Sequence, residues 1–118
     1  MKRITVEVMS SAEALRRMAR TWARAEKGGA SEATIGVGSI AELSALLSPR
    51  RMELLRFVAE NPRLSVRAIS KALRRDYKNV HSDVSGLEES HLLVRDGEGK
   101  VSSPYDEIVI RAPLRDAA

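Results

Sequence analysis

Between residues 65 and 90 the sequence SVRAISKALRRDYKNVHSDVSGLEES groups side chains that can donate hydrogen bonds to anionic and polar surfaces. Lys78, Ser82, Ser85 and Glu89 fall on one stripe at helical spacing, with Asn79 and Gly86 flanking it. Lysine and asparagine donate to phosphate oxygens and to the edges of bases, and the serines are short enough to let a duplex come close. A purely structural surface helix would more often carry Glu and Lys four residues apart. Arg74 and Arg75 precede this helix, and Arg67 and Lys71 lie on the outer side of the helix before it. Tyr77 can pack its ring on the core or send its hydroxyl to a phosphate. His81 lies about 100° from the apolar stripe and either donates to phosphate or covers the helix.

These side chains need a scaffold. Val80, Val84 and Leu87 recur at spacings of four and three, so one side of the helix is apolar and faces a core. Asp76 is placed to cap it. Ser65 caps the preceding helix, whose buried side is Val66, Ile69 and Leu73, and the turn falls at Arg74 and Arg75. Upstream, Ser48 and Pro49 open a helix to about Glu60 that buries Met52, Leu55 and Val58, with Leu54 and Phe57 adding to the core; Pro62 prevents its continuation. Downstream, Leu92–Val94 and Val101–Ser102 flank DGEGK and read as a hairpin, with Arg95 and Lys100 as its cations.

The front of the chain is simpler. KRITVEV alternates as a strand, and Ser10 or Ser11 caps a helix to about Lys27. One side of that helix is Ala12, Leu15, Met18, Ala19 and Trp22; the other carries Arg16, Arg20, Arg24 and Lys27 and reads as a solvated face, an auxiliary phosphate contact or a surface for an acidic protein. GGASEATIGVGS reads as a loop and a short strand, and Ser39 caps a helix through Leu47 with Ile40, Leu43, Leu46 and Leu47 on one side. DEIVIR is a final strand, able to join one sheet with residues 2–8 within or between chains.

Composition bounds the function. The chain has 118 residues, 43% of them apolar, and no cysteine, which excludes disulfides and thiolate metal sites. The net charge of +4 is uneven: +2 over residues 1–47, +4 over 48–95 and −2 over 96–118. The excess therefore sits with the two-helix motif, as expected if part of the affinity comes from displacing counterions. His81 and His91 lack partners for a metal site, and no phosphate-cradling loop or nucleophile motif is present, so no enzyme activity, cofactor or metal is expected. With no long apolar run and no leader-like start, a cytoplasmic location away from membranes is expected.

Helix, helix, recognition helix and hairpin over residues 48 to about 103 are the order of a winged helix-turn-helix. The fold expected is α+β, with residues 1–47 as a strand-helix-strand-helix extension for dimerisation or partner binding and 48–118 as the DNA-binding domain with its C-terminal strand. SPRRMELLRFVAENPRLSVRAISKALRRDYKNVHSDVSGLEES, followed by HLLV and VSSPYDEIV, resembles a family of small prokaryotic MarR-like regulators, several of which look like antitoxins of small toxins. The points of resemblance are Ser48, Pro49 and Arg50; Arg75, Asp76, Lys78, Asn79, Val80 and His81; Asp83, Val84, Leu87 and Glu88; and Pro104, Tyr105 and Asp106. Ser82 stands where relatives often carry arginine, and His91 where glycine is usual.

The motif and the resemblance together lead to the expectation of a dimeric regulator of transcription, a repressor, and the residue pattern makes Arg67, Lys71, Arg74, Arg75, Tyr77, Lys78, Asn79, His81, Ser82, Ser85, Arg95 and Lys100 its candidates for contact with double-stranded DNA. Its alternative is an antitoxin that holds a small toxin through the front half and represses its own operon. A winged helix that binds only protein is the third reading.

Overall fold

The computed structural model describes residues 1–10, 12, 13, 15, 16 and 33–115. Two units divide the chain, one of residues 1–2 and 45–106, the other of 3–44 and 107–118.

The second unit is built on a parallel sheet of three strands in the order β2-β1-β5. Strand β1 is Arg3–Val8, β2 is Ala33–Val37 and β5 is Glu107–Arg111. The register pairs Val6 with Ile35 on one side and with Ile110 on the other, so Ile4, Val6 and Val8 share an apolar face with Ile35, Val37, Ile108 and Ile110. Arg3, Thr5, Glu7, Glu107, Val109 and Arg111 share the opposite face. The last strand pairs with β1 within the chain, the shared sheet that the two alternating runs allow, and each supplies the other with a matching apolar row.

After β1, Ser10 Oγ accepts the Glu13 amide at 3.2 Å, and Ala12, Glu13, Leu15 and Arg16 are helical. Leu15, expected on a buried side, is 66% exposed. Met18, Ala19, Trp22, Arg20, Arg24 and Lys27, on which the rest of that helix's two faces rested, lie outside the described residues. Helix α1, Ile40–Leu46, is capped by Ser39 as its sequence predicts, but it fully buries no residue and Ile40 is exposed. At seven residues it is too short to cover a core with a complete apolar stripe.

The first unit holds α2 (Pro49–Glu60), α3 (Val66–Leu73) and α4 (Tyr77–Glu89), then β3 (Val94–Arg95) and β4 (Val101–Ser102), which pair antiparallel. Each helix starts at the residue chosen from sequence: Ser48, Ser65 and Asp76 accept the amides of Arg51, Ala68 and Asn79. Leu54, Val58, Ile69, Val80, Val84, Leu87 and Val101 are wholly buried and form the core. Leu64 adds a third rung to the hairpin, with the Val101 amide donating to its carbonyl at 2.8 Å, and Arg63 takes a φ of 65° to bring it there. This is a winged helix-turn-helix carrying a sheet-based extension.

Helices α3 and α4 end alike. Arg74 (φ 54°) and His91 (φ 62°) are left-handed, and the amides of Arg75 and Leu92 reach back to the carbonyls of Ser70 and Leu87. This is a Schellman closure with a side chain where glycine is cheapest.

Candidate nucleic-acid interface

Burial of Val80, Val84 and Leu87 fixes the roll of α4. Lys78, Asn79, His81 and Ser82 are consequently exposed, with Ser85 half-buried at the edge of the same surface. Arg67 and Lys71 are exposed on α3, and Arg74 is held outward by its left-handed backbone. Among the described residues none of Arg67, Lys71, Arg74 and Lys78 is in an ion pair. Tyr77 joins the two helices: the Arg67 guanidinium lies 5.1 Å from its ring centre, and the His81 ring stands 5.9 Å away on the other helix turn. Tyr77 is 42% exposed, so its ring lies between Arg67 and His81 rather than in the core.

Arg75 and Arg95, both expected on phosphates, are held by carboxylates of the protein itself. Arg75 Nη2 donates to Asp83 Oδ2 at 2.6 Å with its side chain only 15% exposed. Arg51 Nε donates to Asp83 Oδ1 at 3.2 Å, so one carboxylate binds α2, the turn and α4 together. Burial opposes the charged form of Asp83, but hydrogen bonds from Arg75 and Arg51, with their positive charge, outweigh it and hold the carboxyl below its usual range. Gly86 makes room for this contact. A Cβ there would stand 2.6 Å from Arg51 Nη2.

Arg95 donates through Nε and Nη2 to Glu88 Oε1, fastening β3 to the end of α4. The wing tip is closed by Asp96, whose Oδ1 accepts the amides of Glu98 and Lys100 at 2.9 Å; these bonds, Lys100's first, keep its carboxyl charged. Lys100 is half-buried and Arg63 stands 3.9 Å from Asp96. Both arginines at the wing thus face carboxylates of the protein itself.

The sequence reading did not assign Arg51 and Asp83 their roles. The signal was present: Asp83 lies within about 60° of the Val80–Val84–Leu87 stripe, and an acid that close to a core needs a cation. Among the described residues no cluster of His, Asp and Glu can hold a metal ion, and no helix is long and apolar enough to cross a membrane.

A multiple antibiotic-resistance repressor, MarR, from Listeria monocytogenes is similar in structure, with a TM-score of 0.47 and 15% identity over 80% of this chain. The similarity covers 64% of that protein's chain. No curated protein matches the sequence. The HVO_A0114 family model matches residues 46–110, from the end of α1 through the wing to β5. That match takes in more than half of the sequence, all three core helices and the whole candidate interface, and the chain belongs to the HVO_A0114 family.

Proposed function

We propose that the chain is a sequence-specific DNA-binding regulator of transcription that acts as a dimer and represses by occupying a promoter. The observation that carries this reading is the pairing pattern of the cations. Arg51, Arg75 and Arg95 are consumed by Asp83 and Glu88, while Arg67, Lys71, Arg74 and Lys78 are left outward around the exposed start of α4. Arg67, Lys71 and Arg74 set the register on the phosphates, Lys78 and Asn79 read base edges or the adjacent phosphates, and Ser82 and Ser85 allow close approach. Tyr77 and His81 support Arg67 and line one flank. A single α4 reads only a few base pairs, so two copies on half-sites about one helical turn apart give usable specificity. The sheet unit is the natural place for that pairing, with residues 45–106 as the reading module.

Affinity for genomic DNA fragments measured against salt tests the reading. Four phosphate contacts per chain give a slope of log affinity against log salt of about −3.6, and roughly twice that for a dimer. Fragments retained at high salt should share a short inverted repeat. A flat salt response with no shared sequence would refute the reading and favour a module that binds only protein.

A further inference from the structure

Strand β5 is an edge: it pairs with β1 on one side and with no described strand on the other. Its sequence, Glu-Ile-Val-Ile-Arg, is its own complement when reversed. An antiparallel pair of β5 strands centred on Val109 sets Glu107 of each copy opposite Arg111 of the other, and Ile108 opposite Ile110. The charges already extend inward from that edge. Arg3 holds Glu107 at 2.8 Å and Glu7 stands 3.5 Å from Arg111, each pair in register on β1 and β5.

We infer that two copies join edge to edge through β5, making one six-stranded sheet in the order β2-β1-β5-β5-β1-β2. On one face, Arg3, Glu107, then Arg111 and Glu7 of the second copy form a row of alternating charge across four strands, and two-fold symmetry repeats the row. On the other face, Ile110, 52% exposed in the single chain, gains Ile108 of the second copy as its neighbour. Edge strands usually carry charge that discourages further pairing. Here the charges select a geometry: parallel pairing would set Glu107 against Glu107, and sliding the strands by two residues would leave Glu107 and Arg111 without their counterparts. The β2 edge, Ala-Thr-Ile-Gly-Val, has no charged residue to fix either direction or register. The joint is isologous, as a two-fold dimer requires. It rests on the proposed function only for the reason a dimer is useful, and it is tested without DNA.

Sedimentation of the full chain and its variants decides the matter. Wild type should sediment as two chains, Glu107→Arg and Arg111→Glu should each sediment as one, and an equimolar mixture of the two variants should return to two. In the mixture both junctions again pair opposite charges, while the altered contacts to Arg3 and Glu7 are the same as in each variant alone, so the recovery reads the joint and not folding. A single-chain wild type, or a mixture no better associated than its components, overturns the inference. If either charge variant fails to fold, Val109→Cys carries the test in a chain with no other cysteine. Directly opposed residues of antiparallel strands have Cα atoms about 4.5 or 5.5 Å apart, within disulfide range. Under mild oxidation most of Val109→Cys should become covalent dimer and Thr34→Cys, on the other edge, should not; the reverse result overturns the inference. A DNA-binding dimer that lacks this joint would leave the proposed function standing, and a β5 joint in a chain without DNA affinity would do the opposite.

Discussion

The α3–α4 surface and the wing carry similar residues and use them differently. Both hold arginines and lysines next to a left-handed residue, Arg74 in one case and Arg63 in the other. On the wing, Glu88 and Asp96 answer Arg95 and Arg63. At the α3–α4 surface the acid, Asp83, sits behind the helix and answers Arg75 and Arg51, leaving the front of the helix unmatched. Where the carboxylate lies, rather than how many cations there are, decides which surface can bind an anion. Adjacent residues make the point most sharply: Arg74 faces out and Arg75 faces in.

The strongest way to break this contrast is to remove the rear carboxylate. Asp83→Asn should cost about 3 kcal/mol in denaturant unfolding, because two largely buried guanidinium groups lose their counter-charge. The pH dependence follows from the lowered carboxyl. A group depressed in the folded state stabilises above its unfolded value of 3.8 and loses that contribution as pH falls through the lower folded value. Wild type should therefore lose stability more steeply than Asp83→Asn below about pH 4. An unchanged acid limb would show that the pair does not hold α4 in place.

Substitutions on the front face come next. Asn79→Ala should cost about 1–3 kcal/mol against the selected sequence and relax preference at one base position, read by competition binding. Lys78→Ala should lower the salt slope by about one per chain, whereas Arg95→Ala should leave the slope alone and cost about 0.5–1 kcal/mol of stability. Equal slopes for the two variants would erase the distinction between surface and wing. The smallest effect sharpens the backbone side of the comparison: His91→Gly should stabilise the fold by about 0.5–1 kcal/mol, the left-handed strain removed less the extra chain entropy of glycine, measured as a shift in the unfolding midpoint.

Much of the helical unit was legible because its determinants are local. Ser48, Ser65 and Asp76 cap where their side chains can reach the third amide, and the Val80–Val84–Leu87 stripe sets the roll of α4. His91, noted as standing where glycine is usual, takes the left-handed backbone. What escaped was non-local. A basic turn does not say which arginine will find an acid eight residues away, and the Arg51–Asp83 bond joins positions 32 apart. Leu64 pairs through a single rung, too short for any alternation to mark. The last strand and its capacity to share a sheet with residues 2–8 were legible from alternation, but the choice between pairing within one chain and between chains was not. Ile40 belongs to an apolar side that the helix is too short to bury.

The pairing of β1 with β5 sets an order of events during synthesis. Strand β1 meets β2 early but must wait about a hundred residues for its other neighbour, a closure that is slow compared with the local contacts of α2, α3 and α4. A chain cut short before residue 107 would be able to fold its helices yet lack the strand that completes its sheet. Synthesis of residues 107–111 thereby becomes a condition for completing the sheet.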